Sequence, residues 1–171
     1  MTGDAYGRQV CWRDEQKKEE RRKNQRTERG TRRLETQNVR GFVKESRKRW
    51  IGAWRRTPVR NRPGAWLLQE THVSSAEEAI QLKEDWARAW GKPKQTDRPQ
   101  LSYWSVHDER TGGVAILLNP GQAETAEPWH EELWTHRVIA VRIGETVVVD
   151  VYAPNTKTER EHCVQCLQVS D

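Results

Sequence analysis

The chain has 171 residues, enough for one domain of ordinary size, and carries a formal net charge of +5 with 32% charged and 34% hydrophobic residues. That balance favours a polyanionic partner without requiring one. No apolar run approaches the length of a membrane span, the N-terminus has no signal-peptide pattern, and three cysteines do not form a secreted disulfide framework, so a soluble intracellular protein is expected.

Residues 1–31 read as a charged tail, either disordered or a single frayed helix. The stretch from Asp14 to Arg33 is almost wholly polar and has no apolar stripe to bury. The predicted domain is 32–171. Leu34 to Val39 suits a strand, closed by Arg40 and Gly41. Val43, Trp50, Ile51 and Trp54 then recur at helical spacing, with Lys44, Arg47, Lys48 and Arg55 turned to solvent. Ala65 to Glu70 is a short apolar run ending in a carboxylate, as in a buried strand.

Ser74 and Ser75, followed by Glu77 and Glu78, offer two capping-box registers for a helix whose apolar face is Ala79, Leu82, Trp86 and Trp90. Gly91 and Pro93 stop it. Leu101 to Val106 and Gly112 to Leu118 are predicted strands. Gln122 to Trp134 has no clear period and reads as a loop. Arg137 to Ile143 and Thr146 to Tyr152 are strands joined by Gly144 and Glu145, a pair suited to a tight hairpin. Lys157 to Gln168 suits a final helix. Nine Trp against one Phe indicate that indoles supply much of the core.

The order β-α-β-α-β-β-β-β-α opens with a crossover unit, whose two strands should be parallel neighbours. The later hairpins should be antiparallel. The fold class is therefore α/β with a mixed sheet. Parallel neighbours place Asn38 and Glu70 on one sheet edge, where ligand sites of α/β sheets collect. Glu70 follows Trp66, Leu67 and Leu68, so its carboxylate needs solvent, a partner or a cation. Spacing alone favours two residues that simply begin loops.

The wording around these positions shifts that balance. Thr36-Gln37-Asn38-Val39-Arg40-Gly41, Leu68-Gln69-Glu70-Thr71-His72, Gly112-Gly113-Val114-Ala115-Ile116-Leu117 and Val151-Tyr152-Ala153-Pro154-Asn155 occur in that order. Together they resemble successive motifs of the exonuclease–endonuclease–phosphatase superfamily, most closely the endonuclease domains of non-LTR retrotransposons. The resemblance implies a two-sheet α/β sandwich and phosphodiester hydrolysis in DNA, dependent on Mg²⁺ or Mn²⁺. It implies that Glu70 holds the metal and that Asn38 positions the phosphate or a metal-bound water. It likewise brings the Tyr152 hydroxyl near the scissile phosphate and sets Asn155 against the nucleic-acid backbone. A nuclear role is implied in the same way, and the oligomeric state is not.

The sequence departs from the family pattern in two respects. Gln37 stands where the family is often apolar, which should loosen the strand. The Asp-x-Asn motif and the Asp-His pair that follow the tyrosine motif in the family do not occur before Asp171. The expectation is thus a catalytically incomplete nuclease domain supplying roughly one of the two sheets, with an exposed apolar sheet face. The alternatives are a non-catalytic nucleic-acid-binding remnant and a phosphatase of small phosphoesters. His162-Cys163-x-x-Cys166 has zinc-ligand types but no second pair nearby, and reads as helix positions. Asp150 shares a strand face with Tyr152, either beside the site or on a solvated face. His72 reads as a surface loop residue.

Overall fold

The structure is a computed structural model that describes residues 33–42, 44–91, 99–107 and 112–153. The expected final helix, Asn155 and the His162/Cys163/Cys166 group lie outside the described residues. The elements are β1 (Leu34–Asn38), α1 (Lys44–Arg56), β2 (Ala65–Gln69), α2 (Ala76–Ala89), β3 (Ser102–Trp104), β4 (Val114–Leu118), the single turn α3 (Pro120–Ala123), β5 (Ala126–Pro128), β6 (Val138–Ile143) and β7 (Thr146–Val151).

The strands form two sheets. One is four-stranded in the order β1-β2-β4-β3, and the other is three-stranded in the order β5-β6-β7. β1 runs parallel to β2, with Asn38 opposite Gln69, as a crossover through α1 requires. β4 lies antiparallel to both β2 and β3, so the first sheet is mixed. The second is antiparallel throughout. Ile143 faces Thr146 across the tight hairpin, and Gly144 takes a φ of +60° that suits glycine.

Alternation divides the first sheet cleanly. Trp66 and Leu68 face the helices, and a group of indoles fills that layer. The rings of Trp54 and Trp86 lie 4.8 Å apart, those of Trp54 and Trp90 4.5 Å, and those of Trp66 and Trp86 5.5 Å. The Trp86 indole donates to the Leu118 carbonyl at 3.0 Å, which satisfies its one polar atom. Arg62 stacks on Trp54, its Cζ 4.1 Å from the ring centroid. Ser75 caps α2 by accepting from the Glu78 N–H, and Glu78 accepts in return from the Ser74 N–H. Ser75 is therefore the register used.

Three expectations need correction. Residues 122–134 are not simply a loop, because Ala126–Pro128 adds a strand to β6. That strand is mostly exposed and held by backbone pairing, assisted by Glu127 with Arg142 at 3.4 Å, so it carries no apolar period to read. Arg47 is not turned to solvent; it pairs with Asp85 of α2 at 3.1 Å, with only 12% of its side chain exposed. Finally, the described residues supply strands of both sheets. β6 and β7 pack on β2 and β4, and Ile116, Leu118, Ile139 and Val141 are fully buried. Exposed apolar side chains are scattered instead, at Leu34, Val59, Ile80, Val106 and Leu133, with Val147 and Val149 on the outer side of β7.

The indole layer should carry much of the stability. Trp86→Ala is expected to lower the unfolding free energy by about 3–5 kcal/mol, read from the urea midpoint.

Candidate functional site

The C-terminal ends of β1, β2 and β7 meet at one edge of the sandwich. Asn38 is the last residue of β1, Glu70 follows β2 and Tyr152 follows β7. The Tyr152 hydroxyl donates to Glu70 Oε1 at 2.8 Å, across 82 residues of sequence. Asn38 accepts the Arg40 N–H on its Oδ1 at 3.0 Å, which leaves its amide to donate to Glu70. These two hydrogen bonds, Asn38 first and Tyr152 second, hold the Glu70 carboxyl below its usual pKa, helped by the charges of His72 and Arg40. The Glu70 bond and burial push the Tyr152 phenol up, while the Arg137 charge opposes them.

The backbone here is unusual. Arg40, Glu70 and His72 all have positive φ, at 49°, 55° and 56°. Such conformations cost energy in residues bearing a Cβ and persist only where the surroundings fix them. The fixing bonds are present. Gly41 N–H donates to the Glu70 carbonyl at 2.7 Å and Phe42 N–H to that of Thr71 at 2.9 Å. On the other side, Thr71 and His72 N–H donate to the Gly113 and Gly112 carbonyls at 3.1 and 3.2 Å. Gly113 has φ of +85°, and a Cβ there would meet Thr71 Oγ1 at 2.5 Å, so only glycine fits this brace.

Strand order put Asn38 and Glu70 on one edge and the resemblance added Tyr152; in the structure Asn38 and Tyr152 both hydrogen-bond Glu70. Sequence reasoning missed the basic surroundings. Arg137 begins the stretch leading into β6. Its Cζ lies 5.6 Å from the Tyr152 ring centroid, and its Nε donates to His136 Nε2 at 3.0 Å. His107 stacks near His136, with ring centroids 4.3 Å apart. Only pairing of β6 with β7 could have signalled Arg137, because Tyr152 N–H donates to its carbonyl at 2.8 Å. Gln37 pairs in register with Leu68, and its side chain accepts the Trp50 indole N–H at 2.9 Å.

Asp150 proves to be buried beside the site. It is 1% exposed, between the sheets, and its Oδ1 accepts from Gln69 Nε2 at 2.5 Å. Oδ2 has no hydrogen-bond partner among the described residues. Burial pushes its pKa up to about 7, opposed by Gln69 and by the N–H groups of Ala115 and Leu68.

Among the described residues no three His, Cys, Asp or Glu side chains gather as a metal-holding cluster. Glu70 is a single ionised carboxylate with amide and phenol neighbours. That fits a hard cation that takes one or two carboxylates and completes its shell with water and phosphate oxygens.

Fold and site together define a mixed α/β protein of two sheets, with an acidic centre and a basic surround where three strand ends converge. No family model matches the chain, and no curated protein matches it. No helix among the described residues is long and apolar enough to cross a membrane.

The buried carboxyl makes stability pH-dependent. A folded pKa raised to about 7 means that the native state retains a proton the unfolded chain releases near the ordinary 3.8. Stability from this group is therefore complete below the lower value and is lost as pH rises through the higher one. Asp150→Asn should remove that loss. Between about pH 5 and pH 8.5, wild type should lose roughly 3 kcal/mol relative to the variant, measured by urea unfolding at each pH.

Proposed function

We propose that residues 32–171 belong to a metal-dependent phosphodiesterase domain of the exonuclease–endonuclease–phosphatase type, in the branch that nicks DNA. The observation that carries this reading is the Tyr152–Glu70 hydrogen bond, with Asn38 donating to the same carboxylate. Two residues from separate motifs thus converge on the carboxylate supplied by a third.

In this reading Glu70 holds Mg²⁺ or Mn²⁺. The bound ion would screen the phosphate charge and acidify an attacking water. The chain's own residues have simpler tasks. Asn38 orients the Glu70 carboxylate by its amide. Tyr152, with its proton held by the raised pKa, offers a donor where a phosphate oxygen would gain charge. Arg40 and Arg137 bring positive charge to the same edge, which suits a phosphodiester backbone. Asn155, from the same motif as Tyr152, would contact that backbone.

The sequence from Met1 to Asp171 contains neither an Asp-x-Asn after Tyr152 nor an Asp-His pair. We therefore propose that these 171 residues alone bind the ion but do not turn over. With supercoiled plasmid, the expected result is no nicking above background in Mg²⁺ or Mn²⁺. Electron paramagnetic resonance should show Mn²⁺ binding that Glu70→Ala abolishes. Metal-dependent nicking lost in Glu70→Ala would refute the inactivity and keep the enzyme class. Equal Mn²⁺ binding by both proteins would refute the metal site.

A second reading, nucleic-acid binding without catalysis, is favoured by Arg40 and Arg137 beside the site. It expects DNA affinity that falls steeply between about 50 and 200 mM salt and survives Glu70→Ala, measured by fluorescence anisotropy. Affinity insensitive to salt would count against it.

A further inference from the structure

A second polar row lies beneath Asn38, Glu70 and Tyr152. Thr36 is two residues before Asn38, Gln69 one before Glu70 and Asp150 two before Tyr152. Gln69 Nε2 bonds Thr36 Oγ1 at 3.0 Å and Asp150 Oδ1 at 2.5 Å, so this row crosses β1, β2 and β7 just before each releases its site residue. Thr36 and Gln69 belong to one sheet and Asp150 to the other. The Gln69–Asp150 bond therefore crosses the sandwich.

Stability does not account for it. The surrounding inner faces are apolar, with Ile116, Leu118, Ile139 and Val141 fully buried. Asp150 has no ion-pair partner among the described residues and an orphan Oδ2. A carboxyl in that setting costs desolvation that a packed valine would not. What the bond does supply is a directional link between two strands of opposite sheets. Apolar packing has no such directionality. The site needs one, since a hydrogen bond such as Tyr152 to Glu70 weakens steeply with misalignment.

We infer that Asp150 is a positioning residue, which acts through Gln69 to hold the Tyr152 hydroxyl on Glu70. The inference deepens the phosphodiesterase reading and rests on it for its functional meaning. Its geometry is independent of that reading. Asp150 touches no substrate; it sets the spacing of the strand ends that carry the phenol and the carboxylate.

The test is the ¹³Cζ resonance of Tyr152 in the full chain, labelled at tyrosine, at neutral pH without metal or DNA. Glu70→Ala gives the reference position for the broken phenol–carboxylate bond. Asp150→Asn keeps an acceptor for Gln69 and should leave the resonance at its wild-type position. Asp150→Val removes the acceptor and should move it more than half way to the Glu70→Ala position. The same variant should unfold at a urea concentration no lower than wild type, which a merely structural role does not predict. Gln69→Met cuts the same bond from the other strand, and should reproduce the shift if Asp150→Val does not fold. A shift of less than half in the folded valine variant, or in Gln69→Met if valine does not fold, overturns the inference. Because the resonance is read without metal or DNA, failure of the positioning role and failure of the nuclease reading register separately.

Discussion

The packing of one sheet's inner face on the other is the constraint on which the site depends. Glu70 leaves the first sheet and Tyr152 leaves the second, and nothing local in the chain connects them. Ile116 and Leu118 from β4 meet Ile139 and Val141 from β6 in a layer without solvent. Burial of this kind is strong but non-directional. It brings the sheets together without fixing the height of one strand end against another. That finer adjustment falls to polar links such as Gln69–Asp150.

The other face of the first sheet is stabilised differently. Trp50, Trp54, Trp66, Trp86 and Trp90 form a continuous set of edge-on and tilted contacts between the helices and the sheet. Few large side chains are needed to fill a layer when each is an indole, which lets a chain with 34% hydrophobic residues build two buried layers. Arg47 and Asp85 then join α1 to α2 by an ion pair at the edge of this layer. The helices carry no residue of the site. They fix the sheet whose edge does.

Two carboxyls close in space are driven in opposite directions. Glu70 receives hydrogen bonds from Asn38 and Tyr152 and stays ionised below its ordinary range. Asp150, enclosed between sheets, is pushed up to about 7. One is thus suited to holding charge and the other to holding position, and environment rather than residue type makes the difference. The left-handed backbone at Arg40, Glu70 and His72 belongs to the same arrangement. Gly41 ties the Arg40 turn to the Glu70 carbonyl, and Gly112 and Gly113 brace Thr71 and His72, which explains why the latter turn reads Gly-Gly.

Much of this was legible in the sequence for a local reason. The crossover unit follows from alternating apolar periods, the α2 cap from adjacent serines and glutamates, and the β6–β7 turn from Gly144. Parallel neighbours then put Asn38 and Glu70 on one edge, since strand direction alone decides which ends share it. What only the tertiary structure decided depends on pairs distant in sequence. β5 exists because β6 offers a free edge, and its own residues carry no strand pattern. Arg47 is largely enclosed because α2 presents Asp85 to it. Asp150 is buried because the first sheet covers that face of β7. Alternation could say which side Asp150 faces, but not whether that side meets water or another sheet. Side-chain direction is a property of the strand, and burial is a property of what packs on it.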